Sequence, residues 1–388
     1  MKPILIAAAA ALALAGPALA QLPIKPSTPS ILFWRGDDQA TGYRTIEQIY
    51  QTRTIKRGTK VHPLPVAAQQ IDPTFQYAGK TWTVDDYMKA YRVSGLLVLK
   101  DGKIVIERYG LGRGPHDRWT SFSVAKSLTS TLVGAAIEDG KIKSLNAPVT
   151  DYIPELKGSA YEGVTVRQML RMSSGVKWNE DYADPKSDVA QAGFSSSEPG
   201  VDPMVDYLRK LPRANPPGAK FNYNTGETDL VGILLANAVG MPIADYASEK
   251  IWKPYGMEQD AVWMTDLAGK ERGGCCISMT LRDYARVGQF ILDGGKAAGK
   301  PVVPATWVRD ATKVEIDNGS PAPAGYGYFW WISSPDRYNA VGIFGQSITT
   351  YRKDRLIIVQ NAAWPTAVGR ELSAAREAML EGVRAAVR

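Results

Sequence analysis

The stretch Ser121-Phe122-Ser123-Val124-Ala125-Lys126-Ser127 opens a run from Ser123 to Gly140 that has no proline and only Gly134 as an internal glycine. The run is rich in alanine and leucine and ends at Gly140, so it reads as a mostly buried helix with Ser123 at its start. Upstream, Leu96-Leu97-Val98-Leu99 and Ile104-Val105-Ile106 flank Asp101-Gly102, the pattern of a hairpin closed by a type I′ turn. Downstream, Val166 to Met172, Met204 to Leu211, Leu230 to Val239 and Leu281 to Leu292 read as helices separated by Pro/Gly-rich loops. Strands return at Tyr326 to Ile332, Ala340 to Tyr351 and Leu356 to Gln360, and a helix from about Glu371 to Val387 closes the chain. Strands at both ends with helices between them predict an α+β fold, in which an antiparallel sheet built from both termini carries an inserted all-α lobe over about 145–300. Residues 21–90 are polar and proline-rich without clear periodicity and read as an irregular wrapping segment, leaving 91–388 as the main domain. No internal repeat or low-complexity linker interrupts it.

Residues 1–20 have the anatomy of a secretory leader. Lys2 precedes the apolar run from Pro3 to Ala15, and Ala18-Leu19-Ala20 is a small-x-small site, so cleavage is expected after Ala20. About 368 residues and a net charge of about +6 then remain, enough for one large two-lobed domain or two domains. Gln21 rather than a cysteine stands immediately after the expected cleavage site, which argues against a lipoprotein and for a periplasmic or secreted chain. Outside the leader no stretch approaches the ~18 apolar residues of a membrane span, so stable membrane insertion is not expected.

The formal charge of +7 is scattered rather than gathered into a basic run, which predicts a solvated surface and no nucleic-acid partner. The adjacent Cys275 and Cys276 can form a vicinal disulfide or remain two small buried thiols, and the second is the expectation. With His62 and His116 as the only histidines, a multi-histidine metal site is not expected. Nor does the chain contain a Gly-x-Ser-x-Gly elbow, so a serine enzyme built from it would use a base other than histidine. No cofactor is called for.

Ser-x-x-Lys supplies a hydroxyl and an amine one helical turn apart, but 22 serines and 23 lysines in 388 residues give about 1.3 matches by chance. The chain holds two, Ser123/Lys126 and Ser174/Lys177. Ser174 follows a predicted helix and precedes Gly175, where outward-facing carbonyls oppose an oxyanion. Ser123 opens its helix, where free N–H groups and the positive dipole end favour one. Helical side chains lean toward the N-terminus, so the Lys126 amine can fold back on Ser123, and burial there lowers its pKa as a general base requires. Context alone leaves a helix cap and a surface lysine as even alternatives. His116, just upstream, reads as structural.

The Ser121 to Ser127 stretch resembles the nucleophile helix of the penicillin-recognising serine hydrolases, a superfamily of class C β-lactamases, D-alanyl-D-alanine peptidases and related esterases. Further segments are similar to its 6-aminohexanoate-dimer hydrolase branch: Asn179-Glu180-Asp181-Tyr182 with Asp184-Pro185, Phe221-x-Tyr223 with Thr228-Asp229, Arg282 to Gly288, Leu292 to Gly295, and Gly342-Ile343-x-Gly345-Gln346. They run in order across about 95–360. The resemblance implies the β-lactamase/transpeptidase-like fold, with Ser123 as the acylated nucleophile, Lys126 as its base and Tyr223 completing the proton relay to the leaving group. It implies an oxyanion hole from the Ser123 and Ile343 N–H groups, and a mobile-loop Tyr182 that bonds the leaving amine. Gly342 and Gly345 are expected beside the substrate. The pocket should be apolar and aromatic, lined in part by the Trp178 to Tyr182 loop and the Tyr326 to Trp331 strand.

Three departures bear on specificity. Thr225 stands where the pattern has an asparagine, with Asn224 beside it. Ala340-Val341-Gly342 replaces the Lys-Thr-Gly strand motif that positions a β-lactam carboxylate, so efficient β-lactam or D-Ala-D-Ala chemistry is not expected. Gly193 stands where some dimer hydrolases place an acidic residue. The first expectation is therefore an exported serine hydrolase, monomer or homodimer, acting on a small linear amide or ester. A cell-wall D-amino-acid peptidase or weak β-lactamase of the same fold, and a periplasmic binding module that has lost turnover, are the alternatives.

Overall fold

The structure is a computed structural model that describes residues 30–193, 197–198 and 200–388. The expected leader lies outside the described residues. At the centre is a seven-stranded antiparallel sheet in the order Gly325–Tyr326, Trp331–Ile332, Arg337–Gly342, Gln346–Tyr351, Leu356–Ala362, Val93–Lys100 and Lys103–Tyr109. The expected hairpin closes at Asp101 (φ 50°) and Gly102 (φ 76°), both left-handed as a type I′ turn requires. The seam between early and late parts of the chain is the pairing of Leu356–Ala362 with Val93–Lys100, from Leu356 opposite Lys100 to Gln360 opposite Leu96.

Alternate residues on this seam feed two separate cores. Leu97, Leu99, Ile357 and Val359 pack into one, and Leu96, Val98, Leu356 and Ile358 into the other. Both faces are covered, so these strands are continuous apolar runs rather than an in/out alternation. One face carries the Val124–Glu138 and Leu281–Leu292 helices; the other carries Arg370–Ala386, whose Ala375, Met379, Leu380 and Val383 point inward. Val124–Glu138 is buried on all sides through Ala136, polar residues included, which marks it as the central helix.

Several expectations need correction. Residues 30–90 are not irregular: Gly36–Arg44 and Val84–Ala90 are helices, Thr74–Tyr77 and Lys80–Thr83 form a hairpin, and Thr52–Ile55 is a strand. Nor is 145–300 all helix, because Ala261–Met264 and Ile277–Met279 join Thr52–Ile55 and Trp119–Thr120 in a four-stranded sheet. Strands of two to four residues are too short to show a period. Ala340 to Tyr351 is not one strand but two antiparallel ones, folded at Ile343–Gly345. The Tyr326 to Ile332 segment likewise breaks into two short paired strands. Cys275 and Cys276 are joined to each other, with Cys276 buried. Among the described residues no single helix is long and apolar enough to cross a membrane.

The Leu281–Leu292 helix reaches the sheet through Gly288, where an added Cβ would lie 2.8 Å from Ile357 Cγ2 and 3.0 Å from Ile348 Cγ2. Gly288→Val should therefore push helix from sheet and lower the unfolding free energy by about 1–3 kcal/mol in a urea titration.

Candidate active site

The four-stranded sheet positions Ser123. Trp119–Thr120 is its edge strand, and Ser121 extends the pairing by donating its N–H to Ile277 O (2.8 Å) while its Oγ accepts the Ile277 N–H (2.9 Å). The chain then turns through Phe122 at φ 43°, a costly conformation for a bulky residue, and enters the helix at Ser123. Ser123 occupies the N-cap position, yet its side chain makes no capping bond. The helix-cap alternative therefore falls away, and Oγ instead accepts from Lys126 Nζ at 3.2 Å.

Lys126 is 1% exposed. Its amine donates to Gly274 O (2.7 Å) and Thr225 Oγ1 (3.0 Å) as well as to Ser123. Among the described residues no carboxylate lies within ion-pair distance of it; Glu180 and Asp229 act only at longer range. Burial outweighs their fields and lowers the pKa of Lys126 to about 8. The surface-lysine alternative is thereby removed, and about a tenth of the amine is neutral at pH 7.

Tyr223 lies over this pair, its ring centroid 5.4 Å from Lys126 Nζ. Trp331 stacks on it at 5.5 Å and Tyr326 meets it edge-on at 6.4 Å. These aromatics back Tyr223, and neither lines the cavity, so the expected pocket wall at Tyr326 to Trp331 is corrected to a support. Burial holds the Tyr223 phenol well above its ordinary range, Glu180 adds to the shift, and an interaction with the Ser123 hydroxyl opposes it.

Thr225 and Asn224 divide the work of the missing asparagine. Asn224 caps the Thr225–Val239 helix by accepting the Glu227 N–H, which leaves Thr225 to meet Lys126. The Thr225 hydroxyl in turn donates to Glu180, which also accepts the Thr225 N–H (2.9 Å), the Tyr182 hydroxyl (2.7 Å) and the Trp178 indole N–H. Glu180 thus ties the Trp178–Tyr182 loop to the lysine, a role missed in the sequence although Asn179-Glu180-Asp181-Tyr182 was a distinctive segment. Its signal was a carboxylate beside two aromatics whose polar tips need an acceptor. Tyr182 is half-buried, its hydroxyl committed to Glu180.

Opposite Ser123, the turn after Arg337–Gly342 is held by buried Gln346, whose amide donates to the carbonyls of Ile343 (3.3 Å), Phe344 (3.1 Å) and Ala362 (2.7 Å). Among the described residues neither the Ser123 nor the Ile343 backbone N–H finds an acceptor in the protein, as a pair of oxyanion donors requires. Gly342 lets the strand approach: a Cβ there would lie 2.5 Å from Ser121 O and 3.1 Å from Ser123 N. Gly342 is thus a spacer, and Gly345 packs against Trp364, so the expectation that both border the substrate is corrected.

Ser123, Trp178, Tyr182, Thr225, Arg272 and Ile343 line a cavity of about 480 Å³, with Gly193 on its wall and buried Asp229 beside Arg272 (3.9 Å). A larger groove of about 750 Å³ near Arg309 and Arg352 holds none of the paired groups. The second Ser-x-x-Lys is not a pair. Lys177 is exposed, and the Ser174 hydroxyl donates to buried Glu227, whose carboxyl burial raises to about 8. His62 stacks on Tyr255 and His116 sits beside Gln259, neither on the cavity wall.

Residues 83–378 match the Beta-lactamase family model. The chain belongs to that family. It is 35% identical over 285 residues to the 6-aminohexanoate-dimer hydrolase of Paenarthrobacter ureafaciens, a match that covers 69% of this chain and 72% of the relative. Among solved structures, a Bacillus anthracis protein provisionally assigned as a 6-aminohexanoate-dimer hydrolase superposes with a TM-score of 0.81 at 24% identity, covering 89% of this chain and 93% of the other. A penicillin-binding protein from Bacillus halodurans superposes at 0.59 with 17% identity, covering 76% and 98%. The fold is therefore β-lactamase/transpeptidase-like, and the protein is a serine hydrolase of the amidase/esterase kind.

Two outcomes check this geometry. Thr225→Val removes the hydroxyl between Lys126 and Glu180 and should lower kcat by about 10-fold or more, with a smaller effect on KM, in an ester assay. Glu227 is held neutral in the fold, so its contribution to stability is complete below the ordinary value of 4.5 and is lost as pH rises through about 8. Urea titrations should show wild type losing stability relative to Glu227→Gln across that window.

Proposed function

We propose that the protein is an exported hydrolase that cleaves small linear amides, and esters of similar shape, through an acyl-enzyme on Ser123. The observation that carries this is the buried Lys126 amine, without a carboxylate in contact and 3.2 Å from the Oγ of Ser123, which lines the cavity. Neutral Lys126 takes the hydroxyl proton as Oγ attacks the substrate carbonyl. The negative charge on the carbonyl oxygen falls to the N–H groups of Ser123 and Ile343. As the tetrahedral adduct collapses, the proton passes from Lys126 through the Tyr223 hydroxyl to the leaving nitrogen, and the C–N bond breaks. A water then attacks the ester on Ser123, giving its proton to Lys126, which returns it to Oγ as the C–Oγ bond breaks and the acid departs.

Tyr182 lines the cavity with its hydroxyl proton directed to Glu180, so its oxygen remains able to accept a hydrogen bond from a leaving amine. The substrate class follows from the wall chemistry and the named relative. Trp178, Ile343, Val189 and Met204 favour an aliphatic chain, and the relative is a hydrolase of a linear amide dimer. Ala340-Val341-Gly342 offers no cation or hydroxyl where a β-lactam carboxylate would lie. Export rests on the leader-like residues 1–20.

Hydrolysis of p-nitrophenyl butyrate, the linear 6-aminohexanoate dimer and nitrocefin, by wild type and Ser123→Ala, tests the reading. Ester and dimer should be turned over by wild type, with at least about a 10³-fold loss in Ser123→Ala, and nitrocefin poorly if at all. Nitrocefin turnover that exceeds dimer turnover would favour a β-lactamase. Equal inactivity of both proteins on all three would favour a binding module.

A further inference from the structure

The N–H groups read as the oxyanion hole belong to two segments far apart in sequence, and each is flanked by a phenylalanine in the left-handed region. Phe122, at φ 43°, immediately precedes Ser123, and Phe344, at φ 60°, immediately follows Ile343. Such backbone conformations are strained in a bulky residue and persist only where the surroundings over-determine them. Here the two rings meet at 5.2 Å, and a third ring closes the cluster. Tyr43 lies 5.0 Å from Phe122 at 80° and 5.9 Å from Phe344 at 48°, and also packs edge-on against Trp119 at 5.7 Å.

Tyr43 comes from the Gly36–Arg44 helix, which precedes the residues matched by the family model. It is fully buried. Its hydroxyl accepts Gln39 Nε2 at 3.0 Å, and the same amide donates to Trp364 O at 2.9 Å. Trp364 in turn donates its backbone N–H to Phe344 O at 3.2 Å, which joins the helix to the turn that carries Ile343. The Arg35 guanidinium lies 5.8 Å from the Phe344 ring centroid. The preceding residues Ile31 and Leu32 continue onto the cavity wall. One N-terminal segment thus touches both halves of the hole from behind.

We propose that Tyr43 is a positioning residue for the oxyanion hole: its ring wedges Phe122 against Phe344 and so sets the separation of the Ser123 and Ile343 N–H groups. The inference rests on the acyl-enzyme reading of Ser123. Removing the ring lets both phenylalanines relax toward ordinary backbone angles, which turns one or both donors away. Ground-state binding depends on the cavity walls and changes little, whereas the tetrahedral adduct loses its charge partners.

The full chain carrying Tyr43→Leu, Tyr43→Met and Tyr43→Phe is compared with wild type and Ser123→Ala on p-nitrophenyl butyrate, with folded sites counted by the final stoichiometry of fluorophosphonate labelling. Affinity for phenylboronic acid, which adds to a serine hydroxyl as a tetrahedral anion, is measured beside it. The expected result is a loss of about 10–100-fold in kcat per folded site for Tyr43→Leu and Tyr43→Met, a parallel loss in boronate affinity and KM within about 3-fold. Tyr43→Phe, which keeps the ring, should stay within about 3-fold of wild type. A merely structural tyrosine would lower the unfolding temperature while leaving kcat per folded site and boronate affinity unchanged, and that result overturns the inference alone. Activity retained in Ser123→Ala overturns the acyl-enzyme reading and the inference with it.

Discussion

A lysine amine buried among a serine hydroxyl, a threonine hydroxyl and a backbone carbonyl, with no carboxylate touching it, is the constraint on which the rest of the site depends. Hydrogen bonds to neutral acceptors satisfy the donors of Lys126 without repaying the desolvation of a full charge. A carboxylate in contact would have restored the ordinary ammonium. The chain instead holds Glu180 one hydroxyl away, across Thr225, and spends its acceptor capacity on Trp178, Tyr182 and Thr225. That arrangement keeps a negative charge near enough to orient the loop and far enough to leave the amine titratable.

Three distant segments must converge to build this environment, which explains why the architecture has two sheets. The central helix brings Ser123 and Lys126, the helix starting at Thr225 brings its hydroxyl, and the loop before Ile277–Met279 brings the Gly274 carbonyl. Gly274 is itself fixed by donating its N–H to buried Asp229 at 2.8 Å. The small sheet anchors both the turn that carries Ser123 and the Gly274 loop. The large sheet supplies Ile343 from the opposite side, and Gly342 permits the close approach. Side chains at either glycine would separate the lysine from its acceptor or the strand from the serine.

Features set by local chemistry were legible in the sequence. Asp101-Gly102 can serve only a tight turn, the apolar runs at Leu96 to Leu99 and Leu356 to Gln360 can only be buried strands, and Ser123 to Gly140 has the composition of a central helix. Choosing Ser123 over Ser174 required only the end of the helix on which each sits, and the structure places the lysine beside the first alone. What long-range packing decides was not legible. Thr52–Ile55 gains strand structure from a partner over two hundred residues away, and the Ile343 turn depends on the buried Gln346 amide. Tyr326 and Trp331 looked like pocket walls by composition, but aromatic content does not say which face of Tyr223 they cover. Glu180 stood in plain view with no role, because its four donors are revealed only when the chain is folded.

The most direct test of the account is the titration of Lys126 in the free enzyme, followed by NMR of lysine labelled with ¹³C at the ε-carbon and assigned with Lys126→Arg. The buried, carboxylate-free environment predicts a transition near pH 8, well below the ordinary lysine value of 10.5. A Lys126 signal that stays in its charged form through pH 9 would contradict the account, because Ser123 would then have no base beside it.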